Sequence, residues 1–148
     1  LELNNYHNLE WVDKDKIYCE SDIISLHIPL TKHTNNMIRS DELMKMKSDA
    51  IIINTSRGGI INESDLQEVL LSGHLSGAAV DSFNEEPYSG PLKNIENCLL
   101  TAHMGSMSID CRAQMEREAT EEAIRFLDGK KLLNEVPEAE YIIQEQGI

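Results

Sequence analysis

The sequence predicts an α/β fold, a parallel sheet with flanking helices. Three observations lead there. Short apolar runs alternate with segments of helical periodicity, a rhythm that implies right-handed crossovers between parallel strands. Ala50-Ile51-Ile52-Ile53-Asn54 is apolar without a break, as expected of a strand covered on both faces by helices. The chain has 148 residues, 41% of them apolar, which suffices for one core and is short for two.

Taken in order, Leu9-Glu10-Trp11-Val12 reads as a short strand, and Asp13 as the cap of a helix running to about Cys19. Ile23-Ile24-Ser25-Leu26-His27-Ile28 is a β-rich run closed by Pro29, which cannot donate to a ladder. Ser40 begins a second helix, with Leu43, Met44 and Met46 as its apolar positions. After the Ala50–Asn54 strand, Asn62 caps a third helix. Glu63 and Asp65 stand in its first turn, where the dipole favours anions, and Gly73 stands at its stop. Ser76-Gly77-Ala78-Ala79-Val80 and Cys98-Leu99-Leu100-Thr101 are two further strands. A long helix runs from about Ser108 to Asp128 and ends at Gly129. Its apolar face carries Ile109, Met115, Ala119, Ala123 and Leu127.

Composition excludes several classes. Thirteen basic residues against 26 acidic ones leave a net charge of −13, whereas a nucleic-acid partner needs clustered Lys and Arg. No apolar run approaches the roughly 18 residues of a membrane span. Leu1-Glu2-Leu3-Asn4-Asn5 lacks the basic and then apolar regions of a signal peptide. Cys19, Cys98 and Cys111 form no CxxC pair, so they read as reduced thiols, small buried hydrophobes of a cytoplasmic protein, and no metal site is expected. His7, His33 and His74 are isolated and read as surface residues.

Ligands of parallel α/β sheets bind beyond the carboxyl ends of the strands. Here the polar residues at those ends are His27, Asn54-Thr55-Ser56-Arg57, Asp81 and Thr101-Ala102-His103, which should line one crevice. Arg57 suits a planar carboxylate held by two parallel hydrogen bonds. Gly58-Gly59 would let backbone approach a ligand closely. His103 is the natural proton donor or acceptor near neutral pH. Asn84-Glu85-Glu86-Pro87 offers a carboxylate to hold and stabilise an imidazolium. An anion-binding Arg with a carboxylate-supported His suits proton transfer on a small acid. There is no G-x-S-x-G elbow, H-E-x-x-H or P-loop.

Four stretches, in this order and at these intervals, resemble the D-isomer-specific 2-hydroxyacid dehydrogenase family. They are Ser21-Asp22-Ile23-Ile24-Ser25-Leu26-His27-Ile28-Pro29-Leu30-Thr31, Ile53-Asn54-Thr55-Ser56-Arg57-Gly58-Gly59, Gly77-Ala78-Ala79-Val80-Asp81-Ser82-Phe83 with Glu86-Pro87, and Thr101-Ala102-His103-Met104-Gly105-Ser106. The resemblance runs from about Leu9 to Leu133. It implies a Rossmann-like NAD-binding domain, with NADP not excluded, and a small 2-oxo or 2-hydroxy acid as substrate. It implies that Arg57 binds the substrate carboxylate and carbonyl, that His103 protonates the carbonyl oxygen as hydride arrives, and that Glu86 orients His103. It also implies that Asp81 holds the nicotinamide carboxamide. Pro29, Thr55, Ser56, Arg57, His103, Gly105 and Ser106 would approach the cofactor, largely through backbone. Ala102 stands where the family usually has proline, which frees the backbone before the imidazole. Glu86 in place of Gln argues against the formate dehydrogenase branch.

The family's G-x-G-x-x-G fingerprint and the acidic residue beyond it are absent, and the chain begins with Leu rather than Met. The expectation is therefore a piece of a longer protein. Residues 1–133 would be part of the NAD-binding domain, lacking its first strand-helix-strand, and 134–148 a tail returning towards an absent substrate domain. Without that first strand the Ile23–Ile28 strand is an unpaired edge, expected to pair with the absent segment or with another copy, as in a homodimer. The chain alone is expected to show no turnover. A second reading is an NAD(H)-sensing binding protein or co-repressor of the same fold without turnover. A third, an unrelated α/β regulatory domain, would make all four matches accidental.

Overall fold

The computed structural model describes residues 9–136. Residues 137–148 of the 134–148 tail, and His7, thus lie outside the described residues. Four strands, β1 (Ile23–Leu26), β2 (Ile51–Asn54), β3 (Gly77–Val80) and β4 (Cys98–Leu100), form one parallel sheet in the order β1-β2-β3-β4. Helix α1 (Lys14–Glu20) precedes β1, and α2 (Ser40–Lys45) and α3 (Glu63–Leu71) fill the first two crossovers. A 3-10 turn at Pro91–Asn94 precedes β4, and α4 (Ile109–Leu127) follows it. The alternation read from the sequence is present, with strands one or two residues shorter than the apolar runs.

The caps are placed by chemistry visible in the sequence. The Asp13 carboxylate accepts from Lys16 N at 2.8 Å, and the Asn62 side chain accepts from both Ser64 N and Asp65 N at 3.1 Å. Gly73 and Gly129, at φ 74 and 65, stop α3 and α4 in the left-handed conformation that glycine adopts without steric cost. Replacing Asn62 with Ala should lower the unfolding free energy by about 1 kcal/mol, because two amide donors lose their acceptor. Urea titration checks this, and an unchanged midpoint would mean the cap contributes nothing.

The core lies on one side of the sheet. Ile24, Leu26, Ile52, Ala78 and Val80 pack with Tyr18 of α1, Leu43 of α2 and Leu66, Val69 and Leu70 of α3. Ile38, Ile60, Leu75 and Leu92 close the cluster from the connections. The described residues do not give the expected coverage of both sheet faces. Ile51 and Ile53 are only half-buried, and Leu99, on the same face, is 66% exposed. The reason is positional: the buried faces of α1, α2 and α3 all join the one core, and α4 has no buried residue, with Ile109 86% exposed. Along α4 the surface is instead laced by the Arg112–Glu116 and Arg117–Glu121 pairs, at 3.7 and 3.9 Å.

Leu9–Val12 is not a strand. Among the described residues no backbone pairs with it, Trp11 is 81% exposed, and Glu10 reaches forward to the Lys16 ammonium at 2.9 Å. Among the described residues β1 is the sheet edge, paired on one side only. None of the three thiols is fully buried: Cys19 is exposed, and Cys98 and Cys111 are intermediate. Partial burial pushes the Cys98 thiol up to about 11, which keeps it protonated. His74 is not a free surface residue, since its Nε2 lies 3.0 Å from Met46 O.

Candidate active site

The sheet register brings the strand ends together. Leu26 is level with Asn54, Asn54 with Val80, and Val80 with Leu100. The loops that begin at His27, Thr55, Asp81 and Thr101 therefore leave one edge of the sheet, the carboxyl edge of every strand. This follows from parallel pairing, in which all strands end on the same side.

Asn54 shapes the second loop. Its side chain is 2% exposed. Its Oδ1 accepts from Ser56 N at 3.1 Å and from the Ser56 hydroxyl at 2.8 Å, and its Nδ2 donates to Arg57 O at 2.9 Å. An amide offers both donor and acceptor, so one buried side chain satisfies the whole turn. Gly58 then passes against the third loop so closely that a Cβ would stand 2.1 Å from the Phe83 carbonyl carbon. The glycine pair thus serves approach to the Phe83–Asn84 backbone, not only to a ligand. The Ser82 hydroxyl adds a bond to Ser56 O at 3.5 Å. Arg57 is carried out exposed at the rim, its Nη1 donating to Ser56 O at 2.7 Å. Its guanidinium makes no hydrogen bond or ion pair with Glu86 or His103.

Glu86 and His103 meet directly. His103 Nδ1 lies 3.0 Å from Glu86 Oε2 and 3.2 Å from Oε1. Phe83 N donates to Glu86 Oε1 at 3.0 Å. That amide first, and His103 second, hold the Glu86 carboxyl below its ordinary value, with burial and the Asp81 charge opposing them. An ionised carboxylate only accepts, so Nδ1 is the donor and Nε2 is left free of Glu86. Glu85, beside it, is exposed. Stacking of Phe83 on Tyr88, with ring centroids 4.1 Å apart, and a cis Glu86–Pro87 bond complete the segment.

Asp81, at the end of β3, is 8% exposed and anchors the last loop. Its carbonyl accepts from His103 N at 2.9 Å, and its Oδ1 accepts from Met104 N at 2.9 Å and from the Thr101 hydroxyl. Thr101 first and the Met104 amide next lower its carboxyl below the usual 3.8, against burial. The loop is therefore held despite Ala102. A group with a depressed native pKa contributes stability that is present above 3.8 and lost as pH falls through the lowered value. Asp81→Asn should thus destabilise the fold at neutral pH, with the gap from the unsubstituted protein closing in acid. Urea midpoints measured across pH check this; a pH-independent gap would contradict it.

The remaining expected residues follow the same strand ends and make no hydrogen bond to the imidazole. Pro29 is exposed, and its carbonyl accepts from Thr34 Oγ1 at 2.7 Å. Thr55 and Ser106 are exposed, whereas the Ser56 hydroxyl is committed to Asn54. At Gly105 a Cβ would meet nothing within 4 Å, so open space lies above it. His27 turns back to Ser25 Oγ at 2.8 Å and does not join the set. A cavity of about 760 Å3 lies beside the pair, between Phe83, Glu86 and Tyr88 on one side and Leu100, Thr101 and Met104 on the other. Among the described residues no group of His, Cys, Asp or Glu could hold a metal ion, and no helix is long and apolar enough to cross a membrane. Sequence reasoning named Asn54 and Thr101 only as crevice-lining residues; that both are polar and stand at strand ends was the available signal for their structural bonds.

A parallel sheet whose carboxyl edge gathers an Arg, an imidazole–carboxylate pair and a buried Asp defines the Rossmann-like α/β class. Residues 2–105 match the model of the D-isomer specific 2-hydroxyacid dehydrogenase NAD binding domain, and the chain belongs to that family. It is 42% identical over 122 residues to a glyoxylate reductase of Thermococcus litoralis, covering 82% of this chain and 37% of that protein. It is 36% identical over 123 residues to a hydroxypyruvate reductase of Thermotoga maritima, covering 80% of this chain and 40% of the relative. A glyoxylate reductase structure from Paecilomyes thermophila superposes with a TM-score of 0.81 at 32% identity, covering 86% of this chain and 39% of the other. The chain thus spans about two-fifths of the length of these proteins.

Proposed function

We propose that this chain is the cofactor-side part of an NAD-dependent oxidoreductase that interconverts short 2-oxo acids and D-2-hydroxy acids. The substrates named for its relatives, glyoxylate and hydroxypyruvate, are the first to try. The observation that carries the reading is the Glu86–His103 pair, held on the same sheet edge as an exposed Arg57. In this reading Arg57 binds the substrate carboxylate through its planar fork. His103 presents Nε2 to the carbonyl oxygen and delivers its proton there, while Glu86 accepts from Nδ1, fixing the ring and stabilising the imidazolium. When bound, NAD(H) supplies or accepts the hydride. The donor set fits the nicotinamide end of such a cofactor: Asp81 is held ionised at the crevice floor, and Gly105 has open space above it. Asp81 would hold the carboxamide, with Pro29, Thr55, Ser56, Gly105 and Ser106 lining the approach.

Residues 1–133 are read as part of the NAD-binding domain and 134–148 as a return towards a substrate domain, in keeping with the two-fifths coverage. The one-sided β1 edge supports pairing with further strand, and the protein is read as a homodimer in the cytoplasm, where its free thiols stay reduced. Incubating the full-length protein with NADH and a panel of 2-oxo acids tests the function. NADH consumption with formation of the D-2-hydroxy acid is the expected result, and no consumption with any of them overturns it.

A further inference from the structure

His103 stands at φ 52, in the left-handed region. That conformation is sterically disfavoured for a residue with a Cβ, so surrounding bonds must hold it. Residue 102 does not: Ala102 is exposed and its N–H makes no hydrogen bond among the described residues. The restraint comes from below. Thr101 N donates to Val80 O at 3.1 Å and His103 N to Asp81 O at 2.9 Å, which continues the β3–β4 ladder past the strand ends. The Thr101 hydroxyl and the Met104 amide, one before and one after Ala102–His103, both donate to Asp81 Oδ1. One carboxylate oxygen thus staples the two ends of the turn that carries the imidazole.

We propose that Thr101 is a positioning residue: its hydroxyl fixes Asp81 Oδ1 beneath the turn, which holds His103 in its left-handed conformation with Nδ1 on Glu86 and so sets where Nε2 points. The conformational part stands on these hydrogen bonds alone; its kinetic consequence rests on the proposed function. A small displacement of a proton donor is costly, because proton transfer needs a reach of about 3 Å. Thr101→Val keeps the β-branched shape and removes the donor. Thr101→Ser keeps the donor and removes a methyl group. Proline at 102 would break no hydrogen bond and would stiffen the turn by its ring.

Two measurements on the full-length protein test this. In hydrogen exchange, the Met104 amide of the unsubstituted protein should be protected relative to that of Ser106, and Thr101→Val should remove most of that protection while Thr101→Ser retains it. In 2-oxo acid reduction, Thr101→Val should lower kcat about tenfold. Thr101→Ser should stay near the unsubstituted value, and Ala102→Pro introduced into Thr101→Val should recover part of the loss. An unprotected Met104 amide in the unsubstituted protein overturns the staple without any variant. So does a Thr101→Val protein with unchanged exchange and kcat, or a serine variant as impaired as the valine one. Absence of turnover in the unsubstituted protein overturns the functional reading instead, and the exchange comparison then decides the staple by itself.

Discussion

His103→Gln in the full-length protein is expected to lower kcat for 2-oxo acid reduction by roughly 10²–10⁴-fold, the usual contribution of a positioned general acid. Glutamine is similar in reach and can hydrogen-bond a carbonyl, but it has no proton to deliver. The substitution keeps the hydrogen bonds of Asp81 and of the Arg57 loop, since the His103 side chain bonds to neither and its backbone N–H still donates to Asp81 O. NADH affinity should therefore change little. Steady-state kinetics with fluorescence titration of NADH separate the two quantities. A variant that keeps its kcat would remove His103 from the chemistry, whatever its contact with Glu86.

Arg57→Gln is the second large effect. A guanidinium facing a carboxylate makes two charge-assisted bonds, and losing them costs about 3 kcal/mol, roughly a hundredfold in kcat/KM. The loop itself should survive, because Asn54 satisfies it through Ser56 and the Arg57 backbone carbonyl and not through the guanidinium. The same variant separates an enzyme from an NAD(H) sensor of the same fold. An enzyme loses turnover, while a sensor keeps its partner and its cofactor. Unchanged kcat/KM for every 2-oxo acid would show that the anion is held elsewhere.

Much of this arrangement was legible in the residues. Asn62 and Asp13 announced their helices because capping is a local interaction, and Ile51–Asn54 announced a strand by its apolar run. The meeting of Glu86 with His103 was foreseeable because parallel strands end on one edge, so residues far apart in sequence share it. What escaped had physical causes. Ile51-Ile52-Ile53 is patterned for cover on both faces, yet the described residues cover only one, and among them the apolar face of α4 buries nothing; an apolar pattern states a demand for burial, not what meets it. Trp11 reads as strand, but no backbone among the described residues pairs with it. Gly58 looked like ligand clearance but serves packing against Phe83, a tertiary contact with no local signature. The staple at Asp81 was hidden because Thr101 and Met104 reach it from a different strand end.

The most direct test of the account is a crystal structure of the full-length protein with NADH and oxamate, an unreactive analogue of a 2-oxo acid. The expected result places the oxamate carboxylate on the Arg57 guanidinium and its carbonyl oxygen within hydrogen-bond distance of His103 Nε2, with Nδ1 still on Glu86. Oxamate bound away from both Arg57 and His103, in a protein that turns over 2-oxo acids, would contradict it.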